Sequence, residues 1–272
     1  MKESRIEGEP LKSLLKSFPR RMESLPKVRL IVVGDIGLDE YVLGEVRRIS
    51  PEAPVPVLEV QTQDSRLGLA ANVAQNVASL GGEALLVAVV GADAAADVLR
   101  AKLKSAEVSP EHLIVDSSRP TTRKLRVMSG PHHIVRVDYE HKQYLSDAVE
   151  SQLVEKVISL LPKAEGVVIE DYAKGVFSET SLQKIIGEAH ARGKKVFVDP
   201  HRSTPAKFYR GADVITPNRE EAIALSGVDY DEIRASKDFI LELGAALKAR
   251  THVVNPIITR GKEGMSLFLD GE

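Results

Sequence analysis

Two acidic side chains follow the first apolar run of the chain at a spacing that suits a polyol ligand. Asp35 and Asp39 lie in Gly34-Asp35-Ile36-Gly37-Leu38-Asp39, directly after Leu30-Ile31-Val32-Val33. In an open α/β sheet, ligands bind beyond the carboxyl ends of the strands, so carboxylates on a loop at this position accept hydrogen bonds from sugar hydroxyls. A turn followed by a helix cap explains the same residue types equally well.

Further polar groups follow later apolar runs. Gly68 and Asn72 lie in Gly68-Leu69-Ala70-Ala71-Asn72, a predicted helix start where small residues let a ligand approach the backbone and Asn72 offers a donor and an acceptor. Asp171 and Lys174 come after another strand, and Lys174 is able to face a phosphate. Polar residues that recur at one sheet edge indicate a shared crevice. Helix packing and a solvated turn are the alternatives.

Two late segments have residue types that hold phosphates. Asn218-Arg219-Glu220-Glu221 begins a predicted helix, where a capping box is a complete structural explanation and water-bound magnesium with nucleotide phosphates is the functional alternative. Thr259-Arg260-Gly261-Lys262-Glu263-Gly264 is a glycine-bearing turn without a Walker lysine-serine pair. Any nucleotide contact there would come from backbone amides, and a plain hairpin turn explains the segment equally well.

These segments need a sheet that brings them to one edge. From Val28 onward, short β-rich runs alternate with amphipathic helices, which predicts a doubly wound α/β fold: a mostly parallel sheet with helices on both faces. Two stretches, at about 41–61 and 121–139, break the alternation. The period-2 patterning of residues 124–128 and 134–138 in the second stretch predicts a small β lid outside the main sheet. Pro51, Pro54 and Pro56 suit an edge strand of that lid. A surface loop without function is the alternative.

Composition narrows the class of partner. The 272 residues carry a net charge of −2, are 43% hydrophobic and contain no cysteine, so they lack the basic surplus of a protein that binds nucleic acid or a membrane surface. The first 27 residues lack the apolar core of a signal peptide, and no run reaches the ~20 apolar residues of a membrane span. We expect a cytoplasmic protein with an N-terminal extension, residues 1–27. Within it, a loosely attached helix is predicted from Leu11, Leu14, Leu15 and Phe18.

The order of these segments resembles the ribokinase-like (PfkB) carbohydrate kinase family from about Val28 onward. Arg48-Ile49-Ser50-Pro51-Glu52-Ala53-Pro54-Val55-Pro56-Val57 and Asp171-Tyr172-Ala173-Lys174-Gly175 most closely resemble the D-glycero-β-D-manno-heptose-7-phosphate kinases of ADP-heptose and lipopolysaccharide synthesis, and Thr122-Arg123-Lys124-Leu125-Arg126-Val127 points the same way. The resemblance implies phosphorylation of this sugar phosphate at O1 by ATP with Mg²⁺. A kinase with another acceptor and a non-catalytic sugar-phosphate-binding remnant are the alternatives.

The resemblance also assigns roles by position. It implies that the sugar phosphate is bound by Asp35, Asp39, Gly68, Asn72, Arg126, Arg136, Asp171 and Lys174. It implies that the nucleotide is held by Asn218, Arg219, Glu220, Glu221, Thr259, Gly261 and Gly264, and that Mg²⁺ is held through water by Asn218 and Glu221. The kinase domain is expected to span residues 28–272, and its lid to cover the substrate and to pair two subunits in a homodimer.

One family segment is absent from the 272 residues. In such kinases a Gly-Ala-Gly-Asp segment supplies the anion hole and the catalytic base. We expect it beyond Glu272, so that the 272 residues alone turn over far more slowly than a normal kinase. Gly91-Ala92-Asp93 matches a different family position. Leu69 stands where the family usually has a second glycine, and a leucine beside the sugar narrows the pocket. His201 stands where heptose kinases usually have lysine.

Overall fold

An eight-stranded sheet with helices on both faces forms the body of the molecule. The computed structural model describes residues 12, 13, 16–18, 27–229, 231, 236 and 238–269. The strands of this sheet are β1 (Arg29–Gly34), β4 (Glu83–Val90), β5 (Leu113–Val115), β8 (Gly166–Glu170), β9 (Lys195–Asp199), β10 (Val214–Ile215), β11 (Asn255–Thr259) and β12 (Met265–Leu267). Their spatial order is β12-β11-β10-β9-β8-β1-β4-β5, with β12 antiparallel to β11 and the other neighbours parallel.

The helices cover both faces of this sheet, which is why its central strands are apolar throughout. In the described residues the α-helices are α1 (Ala70–Ser79), α2 (Ala94–Ser105), α3 (Asp147–Leu160), α4 (Glu179–Ala191), α5 (Arg219–Ser226) and α6 (Phe239–Thr251). The smaller of two core clusters contains side chains of α1 and α2, and the larger contains side chains of α3 to α6. The doubly wound, mostly parallel fold that the alternation predicts is therefore confirmed.

A separate four-stranded sheet forms the lid. Its strands are β2 (Ile36–Ile49), β3 (Pro56–Leu69), β6 (Thr122–Ser129) and β7 (His132–Tyr139), in the order β3-β2-β6-β7. The first two strands extend well beyond the predicted 41–61, because the segment after Asp35 pairs with both β3 and β6. Asp39 therefore lies within β2 rather than on a loop, and Gly68 lies within β3 rather than at a helix start.

Other sequence expectations differ from the structure in detail. Pro56 begins β3 at the edge of the lid sheet, as predicted, while Pro51 and Pro54 lie in the bend before it. The sequence did not indicate β5, because three residues are too few to show a pattern. Helix α6 ends at Thr251, and β12, the last strand among the described residues, ends at Leu267.

The predicted N-terminal helix is described only in part. Residues 12, 13 and 16–18 are helical, whereas Leu11, Leu14 and Leu15 lie outside the described residues. Within the part of the chain that the structure describes, no helix has both the length and the apolar character that a membrane crossing requires.

Candidate functional site

Loops at the carboxyl edge of the main sheet converge on Asp35, which is 2% exposed. Its Oδ2 accepts hydrogen bonds from the backbone N–H groups of Tyr172 (2.7 Å) and Lys174 (3.2 Å), whereas its Oδ1 has no hydrogen-bond partner among the described residues. Burial, together with the nearby Asp171 carboxylate, raises the pKa of Asp35 to about 7. Asp35 thus holds the loop that follows β8, and it is not among the residues that line the neighbouring cavity.

That cavity has a volume of about 660 Å³ and lies between the lid, α1 and α2. We call it the lid cavity. Three predicted substrate residues, Asp39, Asn72 and Arg126, line it together. The other polar residues on its wall are Tyr41, Ser65, Arg66, Gln75, Lys102, Ser105, Lys124 and Tyr172.

Aromatic rings and carboxylates contact three of the cations in the lid cavity. Arg66 Nε donates a hydrogen bond to Asp64 Oδ2 at 3.0 Å. Arg126 donates a hydrogen bond to Asp39 Oδ1 at 2.6 Å, and the Arg126 and Arg66 guanidinium carbons lie 5.2 and 5.1 Å from the centroid of the Tyr41 ring. Lys124 Nζ lies 5.5 Å from the centroid of the Tyr172 ring. Such cation–π contacts orient a charge without neutralising it.

The lid cavity is strongly cationic. Its wall carries the side chains of Arg66, Lys102, Lys124 and Arg126 against the single carboxylate of Asp39. The chain as a whole has a net charge of −2, so this concentration of positive charge is local. Desolvation lowers the pKa of Lys124, which means that its charged form lacks the solvation it would have in water. A cavity with this balance attracts an anion.

Gly68 makes room for the Asp39 carboxylate. A Cβ atom on Gly68 would lie 2.7 Å from Asp39 Oδ2, closer than side chains approach one another. Gly68 faces Gly37 across the β2–β3 ladder, where the two strands leave the core. The contribution of Gly68 to a ligand site is therefore the space that it leaves for Asp39.

The remaining predicted substrate residues do not line the lid cavity. Asp171 is buried and accepts a hydrogen bond from the Tyr209 hydroxyl at 2.6 Å. Lys174 forms an ion pair with Glu140, at the end of the lid. Arg136 is exposed and pairs with an aspartate on its own strand at 2.8 Å. The structure thus brings one of the two predicted arginines, Arg126, to the cavity.

A second cavity, of about 410 Å³, opens at the carboxyl ends of β8 to β11. We call it the acidic cavity. It brings together three predicted nucleotide residues, Asn218, Glu221 and Thr259, and among the described residues no Lys or Arg lines it. The other residues on its wall are Glu170, Asp199 and Thr216.

Asn218 and Glu221 form the capping box that their spacing predicts. The Asn218 backbone N–H donates to Glu221 Oε2 at 2.8 Å, and the Glu221 N–H donates to Asn218 Oδ1 at 3.0 Å. The exchange satisfies backbone donors at the start of α5. It engages one oxygen of each side chain.

The other predicted nucleotide residues lie around the acidic cavity without lining it. Arg219 donates a hydrogen bond to Glu263 at 2.9 Å, and Glu220 is exposed. Gly261 and Gly264 flank a short 3₁₀ turn between the antiparallel strands β11 and β12, as the hairpin alternative predicts.

The acidic cavity contains carboxyl groups whose charged form is disfavoured. Glu170 is 3% exposed, its Oε2 has no hydrogen-bond partner, and burial with the nearby Asp199 raises its pKa to about 8. Burial likewise raises the pKa of Asp199 and of Glu221. Among the described residues, no group of three His, Cys, Asp or Glu side chains is arranged to hold a metal. A cation here would therefore keep water or phosphate ligands, as Mg²⁺ usually does.

Several lining residues were missed from the sequence. Arg66 belongs to the lid strand β3, but the predicted lid segment ended at residue 61 and so excluded it. A longer predicted strand would have included Arg66. Tyr41 opened the predicted lid, although it was not assigned to the site. Lys102 lies near the end of α2, and no local pattern separates it from an ordinary solvated lysine.

Comparison with known proteins gives both a family and a fold. Residues 29–272 match the pfkB family carbohydrate kinase description. The bifunctional protein HldE of Caulobacter sp. (strain K31) is 43% identical over 246 residues, which are 89% of this chain and 48% of that protein. The HldE of Bradyrhizobium sp. (strain ORS 278) is 38% identical over 255 residues, 92% of this chain and 50% of that protein. The chain spans about half the length of the curated relatives it matches.

A solved structure of similar fold is that of Arabidopsis thaliana ribokinase complexed with ribose and ATP. It aligns with a TM-score of 0.68 at 20% identity, over 91% of this chain and 76% of that one. This similarity confirms the ribokinase-like fold that the order of the motifs predicts.

Proposed function

This chain belongs to the pfkB carbohydrate kinase family, and we propose that it transfers the γ-phosphate of ATP to a sugar phosphate bound beneath the lid. The acceptor we propose is D-glycero-β-D-manno-heptose 7-phosphate, phosphorylated at O1 in the cytoplasm for ADP-heptose and lipopolysaccharide synthesis. The observation that carries the proposal is a pair of adjacent cavities with opposite charge. Glu170 lines the acidic cavity, and Tyr172, two residues later in the chain, lines the lid cavity.

The lid cavity suits an acceptor that already carries a phosphate. A neutral sugar would need hydroxyl partners such as Asp39 and Asn72, but it would not need four cations. Guanidinium groups match the geometry of phosphate oxygens, and Arg66 and Arg126 both flank Tyr41 on the cavity wall. We therefore assign the cationic wall to the phosphate of the acceptor, and Asp39 and Asn72 to its hydroxyls.

The acidic cavity suits a nucleotide bound together with Mg²⁺. A divalent cation would stabilise the charged forms of Glu170, Asp199 and Glu221, which burial disfavours. These carboxylates and the Asn218 amide would hold the hydrated ion, and the N-terminus of α5 would face the nucleotide phosphates. When bound, Mg²⁺ supplies neutralisation of phosphate charge.

The proposed part of this chain in the reaction is positioning and electrostatics, which dominate phosphoryl transfer. Asp39 accepts a hydrogen bond from an acceptor hydroxyl and orients the sugar, while Arg126 holds Asp39 in place. Lys124, on lid strand β6, has its Nζ 5.5 Å from the centroid of the Tyr172 ring and favours negative charge there. We assign no catalytic base to these residues, because the Gly-Ala-Gly-Asp segment that supplies it in the family does not occur among them.

We also propose that two copies pair through the lid. In the described residues, β3 and β7 form open edges of the lid sheet, and Ile49, Val60 and Val135 are exposed on its strands. Pairing with a second lid would bury these side chains and satisfy an open edge. Sedimentation at micromolar concentration would show a dimer, and a monomer there would contradict this proposal.

The test of the function is a transfer assay on the full-length protein with Mg-ATP. We expect ADP release that depends on D-glycero-β-D-manno-heptose 7-phosphate, and a bisphosphate product in which phosphorus NMR finds the new phosphate on O1. The same sugar without its phosphate should bind far more weakly. Binding of the sugar phosphate without transfer would favour the non-catalytic alternative. If no sugar phosphate bound or reacted, the proposed function would be wrong.

A further inference from the structure

Leu69 has a backbone conformation that its own side chain opposes. It ends β3 and precedes α1 with φ 58° and ψ −137°, a region that residues other than glycine rarely adopt. His252 also has a positive φ, but its ψ of 27° is the ordinary left-handed conformation that closes a helix. The conformation of Leu69 is therefore the more costly of the two.

The chain on both sides of Leu69 imposes this conformation. Leu69 pairs with Ile36 at the end of the β2–β3 ladder. The next residue, Ala70, donates its backbone N–H to the Asp35 carbonyl oxygen at 2.9 Å. With these contacts fixed, the turn from strand to helix takes place at Leu69, and a glycine would make it without strain.

Core packing does not account for a leucine at this position. Leu67 and Ala70 belong to the core cluster beneath α1 and α2, whereas Leu69 belongs to neither core cluster. Leu69 is nevertheless only 8% exposed, and it lines the lid cavity with Asn72 and Tyr172. A strained residue whose buried side chain faces a cavity rather than the core indicates a role in that cavity.

We propose that Leu69 is a specificity-determining residue that limits the length of the sugar phosphate in the lid cavity. This inference rests on the proposed function, because it takes the lid cavity as the site of the acceptor. The Leu69 side chain takes up volume on the wall of that site. A longer acceptor must displace this volume, and a shorter acceptor gains an apolar contact from it.

The test uses two variants that separate the side chain from the backbone. Leu69→Gly removes the side chain, and glycine adopts the backbone angles of this position without strain. Leu69→Ala removes most of the side chain, but the Cβ atom that remains still opposes these backbone angles. Val73→Ala is the control, because Val73 lies on α1, the helix that begins directly after Leu69, and packs against the core rather than on the cavity wall. Calorimetry gives the Kd values of D-glycero-β-D-manno-heptose 7-phosphate and of a hexose 6-phosphate, and thermal melting gives the Tm of each variant.

We expect both Leu69 variants to shift the ratio of the two affinities toward the heptose phosphate by about tenfold or more, as removal of apolar groups from a pocket wall does. Val73→Ala should leave the ratio within about twofold, since it does not alter the wall. Leu69→Gly should melt roughly 2–10 °C above Leu69→Ala, because only glycine relieves the strain.

An unchanged ratio in both Leu69 variants, with both ligands still bound, would overturn the inference and leave the proposed function intact. If Leu69→Gly melted no higher than Leu69→Ala, the conformational argument would be wrong. If neither sugar phosphate bound to the wild-type protein or to any variant, the proposed function would fail together with the inference that rests on it.

Discussion

The lid cavity and the acidic cavity adjoin each other but differ in the sign of their charge. In the part of the chain that the structure describes, four cations and one carboxylate line the first, whereas three carboxyl groups and no Lys or Arg line the second. The two also differ in origin. The lid cavity is built from strands outside the main sheet and from α1 and α2, while the acidic cavity is formed by the ends of parallel strands and the start of α5.

This difference supports the proposal that the two cavities bind different ligands. Under the proposed function, an anionic acceptor is attracted to the cationic wall and repelled by the carboxylates of the acidic cavity, which suit the divalent cation that accompanies the nucleotide. The loop 170–175 connects them, and Asp35 fixes this loop through two backbone hydrogen bonds. Substitutions in one cavity should therefore alter one ligand and spare the other.

The largest expected effect comes from Arg126→Ala. It removes a cation from the lid cavity and leaves Asp39 without its ion pair, so the Kd for heptose 7-phosphate should rise by roughly 10²-fold, the value of one or two charge-assisted hydrogen bonds. Calorimetry measures this change. Arg136→Ala is the matched control, because Arg136 lies on the neighbouring lid strand but is exposed and paired with Asp138. Equal losses in both variants would mean that the lid acts as a whole rather than through its cavity wall.

Glu170→Gln tests the acidic cavity through the pH dependence of stability. Because the pKa of Glu170 is about 8 in the folded protein and 4.5 ordinarily, the folded state retains a proton between these values. Wild-type stability should therefore fall as pH rises from 4.5 to 8. Glutamine does not titrate, so the variant should be the more stable protein by roughly 2 kcal/mol at pH 8 and no more stable near pH 4.5.

Urea denaturation at the two pH values measures this difference. Added Mg²⁺ should reduce it at pH 8, because the cation stabilises the carboxylate of the wild-type protein. A difference that is the same at both pH values would show that Glu170 acts through packing rather than through its charge.

The smallest expected effect comes from Lys102→Ala. This lysine is partly exposed and reaches the cavity from α2, so solvent screens much of its charge. Its loss should raise the Kd for heptose 7-phosphate by roughly 3- to 10-fold and should matter less at high salt. Lys104→Ala, on the same helix but away from the cavity wall, should change the Kd by less than twofold. A larger rise in Kd for Lys104→Ala than for Lys102→Ala would contradict the assignment of Lys102 to the cationic wall.

The sequence predicts the main sheet better than it predicts the lid, for a physical reason. Strands covered on both faces must be apolar throughout, so β1 and β8 are visible as continuous runs. β2 and β3 have few fully buried residues, and outside their core-proximal ends their half-buried and exposed positions show little periodicity. The ends of the lid strands were therefore misplaced, and Asp39 with them.

The site residues were likewise predicted where a local sequence pattern marks them and missed where only long-range contacts bring them to a cavity. Glu221 and Thr259 were predicted because a helix start and a glycine-bearing turn are recognisable in the sequence and because the family resemblance assigns nucleotide contacts to them. Lys102 was not predicted, because its approach to the lid is a long-range contact. Leu69 was recognised as a departure from the family pattern, but only the backbone angles reveal its conformation.

The most direct test of the division between the cavities is a two-by-two binding measurement in the full-length protein, with heptose 7-phosphate and Mg-ATP as ligands. The variants are Arg126→Ala and Glu221→Gln, and glutamine keeps an oxygen that is able to accept the Asn218 N–H in the capping box. Arg126→Ala should weaken only the sugar phosphate, and Glu221→Gln should weaken only Mg-ATP by about tenfold. Equal weakening of both ligands by either variant, or no effect of Arg126→Ala on the sugar phosphate, would contradict the account.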